Sequence, residues 1–203
     1  MRDSVAQPDE VRSTSSPARS PRTRGSGTHL IVESLELQQG YLARYWLAEI
    51  KNRVTLNRDV EHLLDRFLKL LTAMIPRALS YHGTSTWSLW KRAAELFGAF
   101  GARRGLAAGE VVEEFQIVRE GLIRLLFQAP TGQNREALSL SDVVRLNRFL
   151  DSGVTHASIG HTDELFFSLF QGSGVPKVPP AELLSEVEEQ LLAIDRELRT
   201  EIH

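Results

Sequence analysis

The chain has 203 residues, a formal net charge of -2, 42% hydrophobic residues and 25% charged residues, as expected for about one globular domain. It lacks cysteine, which excludes disulfides, thiolate metal sites, iron–sulfur clusters and cysteine nucleophiles. The nearly neutral charge does not favour nucleic acid or an anionic membrane as a partner, and no apolar run reaches the roughly eighteen residues of a membrane span. We therefore expect a cytoplasmic protein with neither kind of partner.

The N-terminal segment, residues 1–27, is rich in Ser, Arg, Pro and Gly and has few large apolar residues. Such a segment cannot bury enough apolar surface to offset the entropy lost on ordering, so we predict a disordered tail. After it we predict a helical bundle over residues 28–171, a Gly/Pro-rich linker over 172–180 and a separate C-terminal helix over 181–203.

The first two helices of the bundle are predicted at 29–53 and 58–79, with Asn57 as the cap of the second. Gly40, in the middle of the first helix, costs roughly 1 kcal/mol against alanine, which suggests a place where another backbone comes close. Pro76 is expected to kink or end the second helix in its last turn. The inner edge of the first helix is predicted to comprise Leu35, Leu42, Trp46 and Ile50.

The third helix is predicted at 84–104 and the fourth at 106–128, with Gly105 in the turn between them. Because this turn is so short, we expect the two helices to pack antiparallel as a hairpin. Gly98 and Gly101 are placed to let a neighbouring helix approach closely. One face of the third helix carries Trp87, Trp90, Ala94 and Phe97.

The fourth helix has the clearest pattern in the chain. Its apolar residues recur at steps of four and three, which places Val111, Phe115, Val118, Leu122 and Leu125 on one stripe. Glu120 precedes Arg124 by four residues, the favourable order for an ion pair on the opposite face. Glu114 and Arg119 lie on the two shoulders of the stripe. We predict for them either salt bridges to neighbouring helices or a family signature.

The fifth helix is predicted at 140–171, and His161 falls within its apolar seam. His156 lies on nearly the opposite face, so the two histidines cannot share a metal from one regular helix. Two roles stay open for His161. It is either a core histidine hydrogen-bonded to a neighbour, which is the commoner case, or an axial ligand of haem iron. In the second case the pocket would be lined by Trp87, Trp90, Phe97 or Phe115.

The C-terminal helix carries apolar residues at three-four spacing with acidic flanks, close to three heptads. Since it follows a Gly/Pro-rich linker, it either folds back on the bundle or pairs with its copy in a dimer, and the spacing favours pairing. The residues of this dimerisation and signalling helix are Leu184, Val187, Leu191, Ile194 and Leu198.

The region from Glu114 to Leu122, EFQIVREGL, resembles a helix in the N-terminal sensor domain of RsbT co-antagonist proteins, the stressosome-type regulators of stress signalling. The Arg-rich turn at 102–105 and the pair Tyr45-Trp46 are also similar, and the resemblance covers about 30–170. It makes Glu114, Phe115, Arg119 and Glu120 signature positions. It implies a globin-related helical bundle without obligatory haem, a homodimer, and a C-terminal helix that carries its state to an attached STAS domain or kinase.

The fold class predicted overall is all-α, a globin-like bundle of about five helices plus a C-terminal coiled-coil-like helix. No strand-linked glycine loop and no Gly-x-Ser-x-Gly elbow occur, and Glu-x-x-His pairs on two helices are absent, so we predict neither an enzyme nor a metal site. No effector domain follows within these 203 residues, so the sensor acts in trans, has lost its effector, or belongs to a longer protein.

Two functions stay open at this stage. The first is a cytoplasmic sensory or regulatory module of bacterial stress or two-component-type signalling. It would dimerise and act on a kinase, a STAS-type protein or an anti-sigma pathway component. The alternative is a globin-like sensor that binds haem or another small ligand.

Overall fold

The computed structural model describes residues 25–80, 84–128, 139–170 and 179–200. This part of the chain forms six α-helices and no strand, which confirms the all-α helical bundle. The helices are α1 (Gly25–Arg53), α2 (Arg58–Leu79), α3 (Thr84–Arg103), α4 (Ala108–Gln128), α5 (Leu140–Phe170) and α6 (Ala181–Thr200). The tail predicted to be disordered lies outside the described residues up to position 24, as does most of the predicted linker.

The helix ends follow from local capping chemistry. The side chain of Asn57 accepts a hydrogen bond from the backbone N–H of Val60 at 2.8 Å, which fixes the start of α2 as predicted. Ser139 caps α5 in the same way, its Oγ accepting from the N–H of Asp142 at 3.1 Å. One boundary needs correction: the first helix begins at Gly25 instead of His29. The second helix ends at Leu79 as predicted, with Pro76 inside its last turn.

Aromatic rings fill the centre of the bundle. Trp90 stacks on Phe149 with ring centroids 4.2 Å apart, and its indole N–H donates to the Phe149 carbonyl at 2.8 Å. Phe115 of α4 meets Trp46 and Phe97 edge-on, at 5.7 and 5.5 Å. Such edge-to-face and offset contacts suit the ring quadrupoles, so these large side chains give the interior a defined packing.

The closest helix crossing joins α3 to α5. A Cβ atom on Gly98 would overlap the carbonyl oxygen of Ala157, and one on Gly160 would overlap the carbonyl oxygen of Glu95. The two glycines thus allow backbone-to-backbone contact, as predicted for Gly98. Because α3 packs mainly against α5, the predicted α3–α4 hairpin is wrong: α4 packs mostly on α5 and α1 and touches α3 at few positions.

Among the helices described, none combines the length and the apolarity that crossing a bilayer requires.

Candidate functional site

The C-terminal helix α6 lies in a groove of its own chain, between α2 and α3. Four of the five apolar residues predicted to pair with a second copy are buried there, and the remaining one, Leu184, packs against the core at its edge. The preference for pairing through this seam is therefore corrected: within the chain, the fold-back alternative is the one observed. Its physical reason is that α2 and α3 already supply an apolar surface. The buried residues are Val187, Leu191, Ile194 and Leu198.

We call this surface of α2 and α3 the α6 groove. Two arginines of α2 contact α6: Arg66 forms an ion pair with Glu188, and Arg77 donates from Nη1 to the Leu198 carbonyl at 3.1 Å. The latter carbonyl belongs to the last turn of α6, where the helix has unpaired acceptors and a partial negative charge. The α2 side of the groove thus holds both the middle and the end of α6.

Two arginines of α3 contact the other side of α6. Arg92 binds Glu197 through two hydrogen bonds, of 2.5 and 3.1 Å, and Arg103 lies 3.6 Å from Glu186. The basic groove is therefore complementary to the acidic flanks of α6. The sequence indicated those acidic flanks but not their partners, because the four arginines become neighbours only in the folded bundle.

We expect the pair of Arg92 and Glu197 to make α6 docking weakly dependent on pH. The hydrogen bond from Arg92, helped by its charge, lowers the pKa of Glu197 below the ordinary 4.5. A carboxyl group whose pKa is lowered on folding contributes stability above its ordinary pKa and loses it as the pH falls through the lowered value.

We therefore expect amide hydrogen exchange of α6, corrected for the intrinsic pH dependence, to accelerate below pH 4.5. In the Glu197→Gln variant this pH dependence should be weaker, since glutamine does not titrate. An equally steep acceleration in that variant would show that other groups cause it.

At the C-terminal end of α3, two successive arginines join three other helices. Arg103 reaches Glu164 of α5, with 2.9 Å between Nε and Oε1, as well as Glu186 of α6. Arg104 forms two hydrogen bonds to Glu114 of α4, at 2.9 and 2.6 Å. Their side chains are only 4% and 8% exposed, so this is a buried ion pair. We call these five residues the α3-end junction.

The signature positions of α4 therefore have structural partners. Glu114 belongs to the α3-end junction, and Arg119 forms an ion pair with Asp151 of α5. Glu120 and Arg124 are 3.9 Å apart on the exposed face, and Phe115 is part of the aromatic core. The structure thus places both shoulder residues in salt bridges to neighbouring helices, the first of the two predicted roles.

His161 is buried beside the turn that follows α3. Gly105 adopts a left-handed conformation there, with φ of 79°, and the next carbonyl, that of Leu106, lies 2.8 Å from His161 Nε2. A carbonyl only accepts, so Nε2 carries the proton and donates. His161 therefore has the geometry of a hydrogen-bonded core histidine. Its Nδ1 is buried and finds no partner among the described residues.

The aromatic residues considered for a haem pocket pack against other rings. Trp90 and Phe97 are fully buried, and Trp87 meets Phe149 at 5.2 Å. In the part of the chain that the structure describes, no group of three or more His, Asp or Glu side chains is arranged to hold a metal ion.

Comparisons of the chain with protein-family models, with curated proteins and with solved structures found no match.

Proposed function

We propose that this protein is a cytoplasmic sensory or regulatory module of bacterial stress or two-component-type signalling. In this proposal it forms a homodimer and transmits a conformational signal through α6 to a kinase, a STAS-type protein or an anti-sigma pathway component. The observation that supports it is the docking of α6, which combines a buried apolar seam with charged contacts at the surface. A helix held in this way is suited to dissociate from its groove and to bind there again.

The charged contacts contribute little to the affinity of α6 for its groove. Arg92 and Glu197 are 49% and 48% exposed, and water screens the attraction between exposed charges. The apolar seam therefore supplies most of the docking free energy, and the charges set the register and orientation of the helix. A docked and a released state that differ by a few kcal/mol can be shifted by a ligand or a partner that prefers one of them.

The α3-end junction offers a route from the bundle to α6. Arg103 contacts α5 and α6 together, and the adjacent Arg104 is fixed to α4 by the buried pair with Glu114. A shift of α4 relative to α3 would move this pair of arginines and with it the contact to Glu186. Coupling of this kind requires an element that can adopt two arrangements. We propose that α6 is this element, docked in one arrangement and released in the other.

A substitution at Leu191 tests whether release of α6 is a separate event. Leu191 is 3% exposed within the seam, whereas the next residue, Leu192, is 38% exposed. We expect Leu191→Glu to free α6 and to raise the rate of tryptic cleavage after Arg196 by about tenfold or more, because a buried carboxylate without a partner opposes docking. Leu192→Glu is the matched control and should leave the rate nearly unchanged. Equal rates in the two variants, with circular dichroism intact, would argue against a releasable helix.

The homodimer is tested by removing residues 181–203 and measuring the mass in solution. If the exposed face of docked α6, which includes Leu192, contributes to the dimer, the truncated chain should have a lower oligomeric state than the full chain. The full-length Leu191→Glu variant provides a second measurement, should the truncated chain not fold. An unchanged mass in both would remove α6 from the dimer interface.

A further inference from the structure

A cleft of about 460 Å³ opens beside α6, between α1 and α2. Its apolar floor includes Leu70 and Ala73 of α2 and Leu191 and Leu192 of α6. Sites for small molecules in proteins typically measure about 300–1,000 Å³ and combine an apolar lining with a few polar groups. The cleft has the size and lining of such a site.

Gly40 of α1 forms part of the cleft wall, and packing does not require a glycine there. In the part of the chain that the structure describes, a Cβ atom at this position would meet only Arg44 Nη1, at 3.5 Å, which is an ordinary contact with the end of a flexible side chain. The expectation that another backbone lies against Gly40 is therefore wrong. Since glycine is a poor residue for the interior of a helix, its presence has a cost that close packing does not explain. Because Gly40 has no side chain, this part of the cleft wall is formed by backbone.

The mouth of the cleft carries three cations, Arg66, Lys69 and Arg199. Each is paired with a carboxylate, that of Glu188, Asp65 and Asp195 respectively, and of these three carboxylates Asp195 lines the cleft. Lys69 and Arg199 are 60% and 74% exposed, and among the described residues each is paired only with a carboxylate one turn earlier on its own helix. Such exposed pairs within one helix are weak and rearrange easily, so both cations are available to an incoming anion.

We propose that this cleft binds an amphipathic carboxylate, with its apolar body on the leucine floor and its carboxylate at Lys69 and Arg199. The consequence of binding rests on the proposed function. Leu191 belongs both to the cleft floor and to the buried seam of α6, so the ligand touches α6 only while the helix is docked. A ligand that binds one of two states shifts the population toward it. Occupancy therefore stabilises docked α6 and opposes its release.

Isothermal titration calorimetry of the full chain with sodium decanoate tests the site. We expect saturable binding of one decanoate per chain, and no comparable binding of decyltrimethylammonium, which has the same tail and a positive head group. Gly40→Leu should abolish the binding because the new side chain enters the cleft. Ala48→Leu is the matched control, since residue 48 is exposed on the same helix and does not line the cleft.

The charge at the mouth is tested independently of helix packing. Lys69→Glu should weaken decanoate binding by about tenfold or more, while Lys91→Glu, an exposed lysine of α3 outside the cleft, should not. Absence of decanoate binding, equal binding of the cationic probe, or binding that survives both Gly40→Leu and Lys69→Glu would overturn the site.

Tryptic cleavage after Arg196 separates the site from the function it rests on. Saturating decanoate should slow this cleavage several-fold in the wild-type chain and leave it unchanged in Lys69→Glu. Binding by calorimetry without any change in cleavage would keep the site and overturn its control of α6. If calorimetry detects no decanoate binding while Leu191→Glu still releases α6, the site alone would be overturned and the proposed function would stand.

Discussion

Replacing Gly98 with alanine should lower the free energy of unfolding by about 4 kcal/mol or more, although alanine is the better helix former. The added Cβ would lie 1.8 Å from the Ala157 carbonyl oxygen, a backbone atom in the middle of α5. Unlike a side chain, this carbonyl cannot rotate away, so α3 and α5 would have to separate along their most extensive contact. The loss of packing in the aromatic core would add to the cost.

Urea denaturation followed by circular dichroism measures this effect, and Gly109→Ala is its matched control. Gly109 lies in the first turn of α4, and a Cβ atom there would meet nothing within 4 Å, so the same substitution should be neutral or stabilising by up to about 1 kcal/mol. Gly160→Ala should resemble Gly98→Ala, and the double variant should lose less than the sum, because both act at one crossing. Similar urea midpoints for Gly98→Ala and Gly109→Ala would contradict the close contact between α3 and α5 at Gly98.

The helices themselves were predictable because each buries one apolar face. The three-four spacing placed Val60 and Phe67 of α2 on the buried side, and Asn57 marked the start of the helix. The arrangement of the helices was less predictable. The short turn at Gly105 suggested that α3 and α4 pack together, whereas the glycine pair at 98 and 160 brings α3 onto α5 instead. Which neighbouring helix a given helix packs against depends on how well their surfaces fit, and these surfaces come from distant parts of the chain.

For the candidate site as well, the residues were predictable but their partners were not. The shoulder positions of Glu114 and Arg119 indicated salt bridges to neighbours, and both form them. Their partners, Arg104 and Asp151, could not be identified, since pairing requires the relative position of two helices. For α6 the spacing of its leucines favoured a coiled coil, but the same spacing also fits a groove within the chain. The apolar surface of α2 and α3 decides between them, and this surface forms only when distant parts of the chain pack together.

The buried ion pair at the end of α3 gives the second large expected effect. Glu114→Ala should lower the free energy of unfolding by about 3–5 kcal/mol, because it leaves the Arg104 guanidinium buried without its carboxylate. Without Glu114, water could hardly solvate the charge of Arg104, because its side chain is 4% exposed and lies over the rings of Phe97 and Phe100. Those ring contacts offset only part of the lost charge interaction, since cation–π contacts are worth roughly 0.5–2 kcal/mol.

Urea denaturation again provides the measurement, with Glu120→Ala as the matched control on the same helix. Glu120 is 64% exposed and 3.9 Å from Arg124, so its removal should change stability by less than about 1 kcal/mol. Replacing both Arg104 and Glu114 with methionine should recover most of the loss, because no unpaired charge is then buried. A double variant as unstable as Glu114→Ala would assign the effect to packing instead of charge.

Faster tryptic cleavage after Arg196 in Glu114→Gln than in Glu120→Gln would further link this pair to α6, because the adjacent Arg103 contacts Glu186.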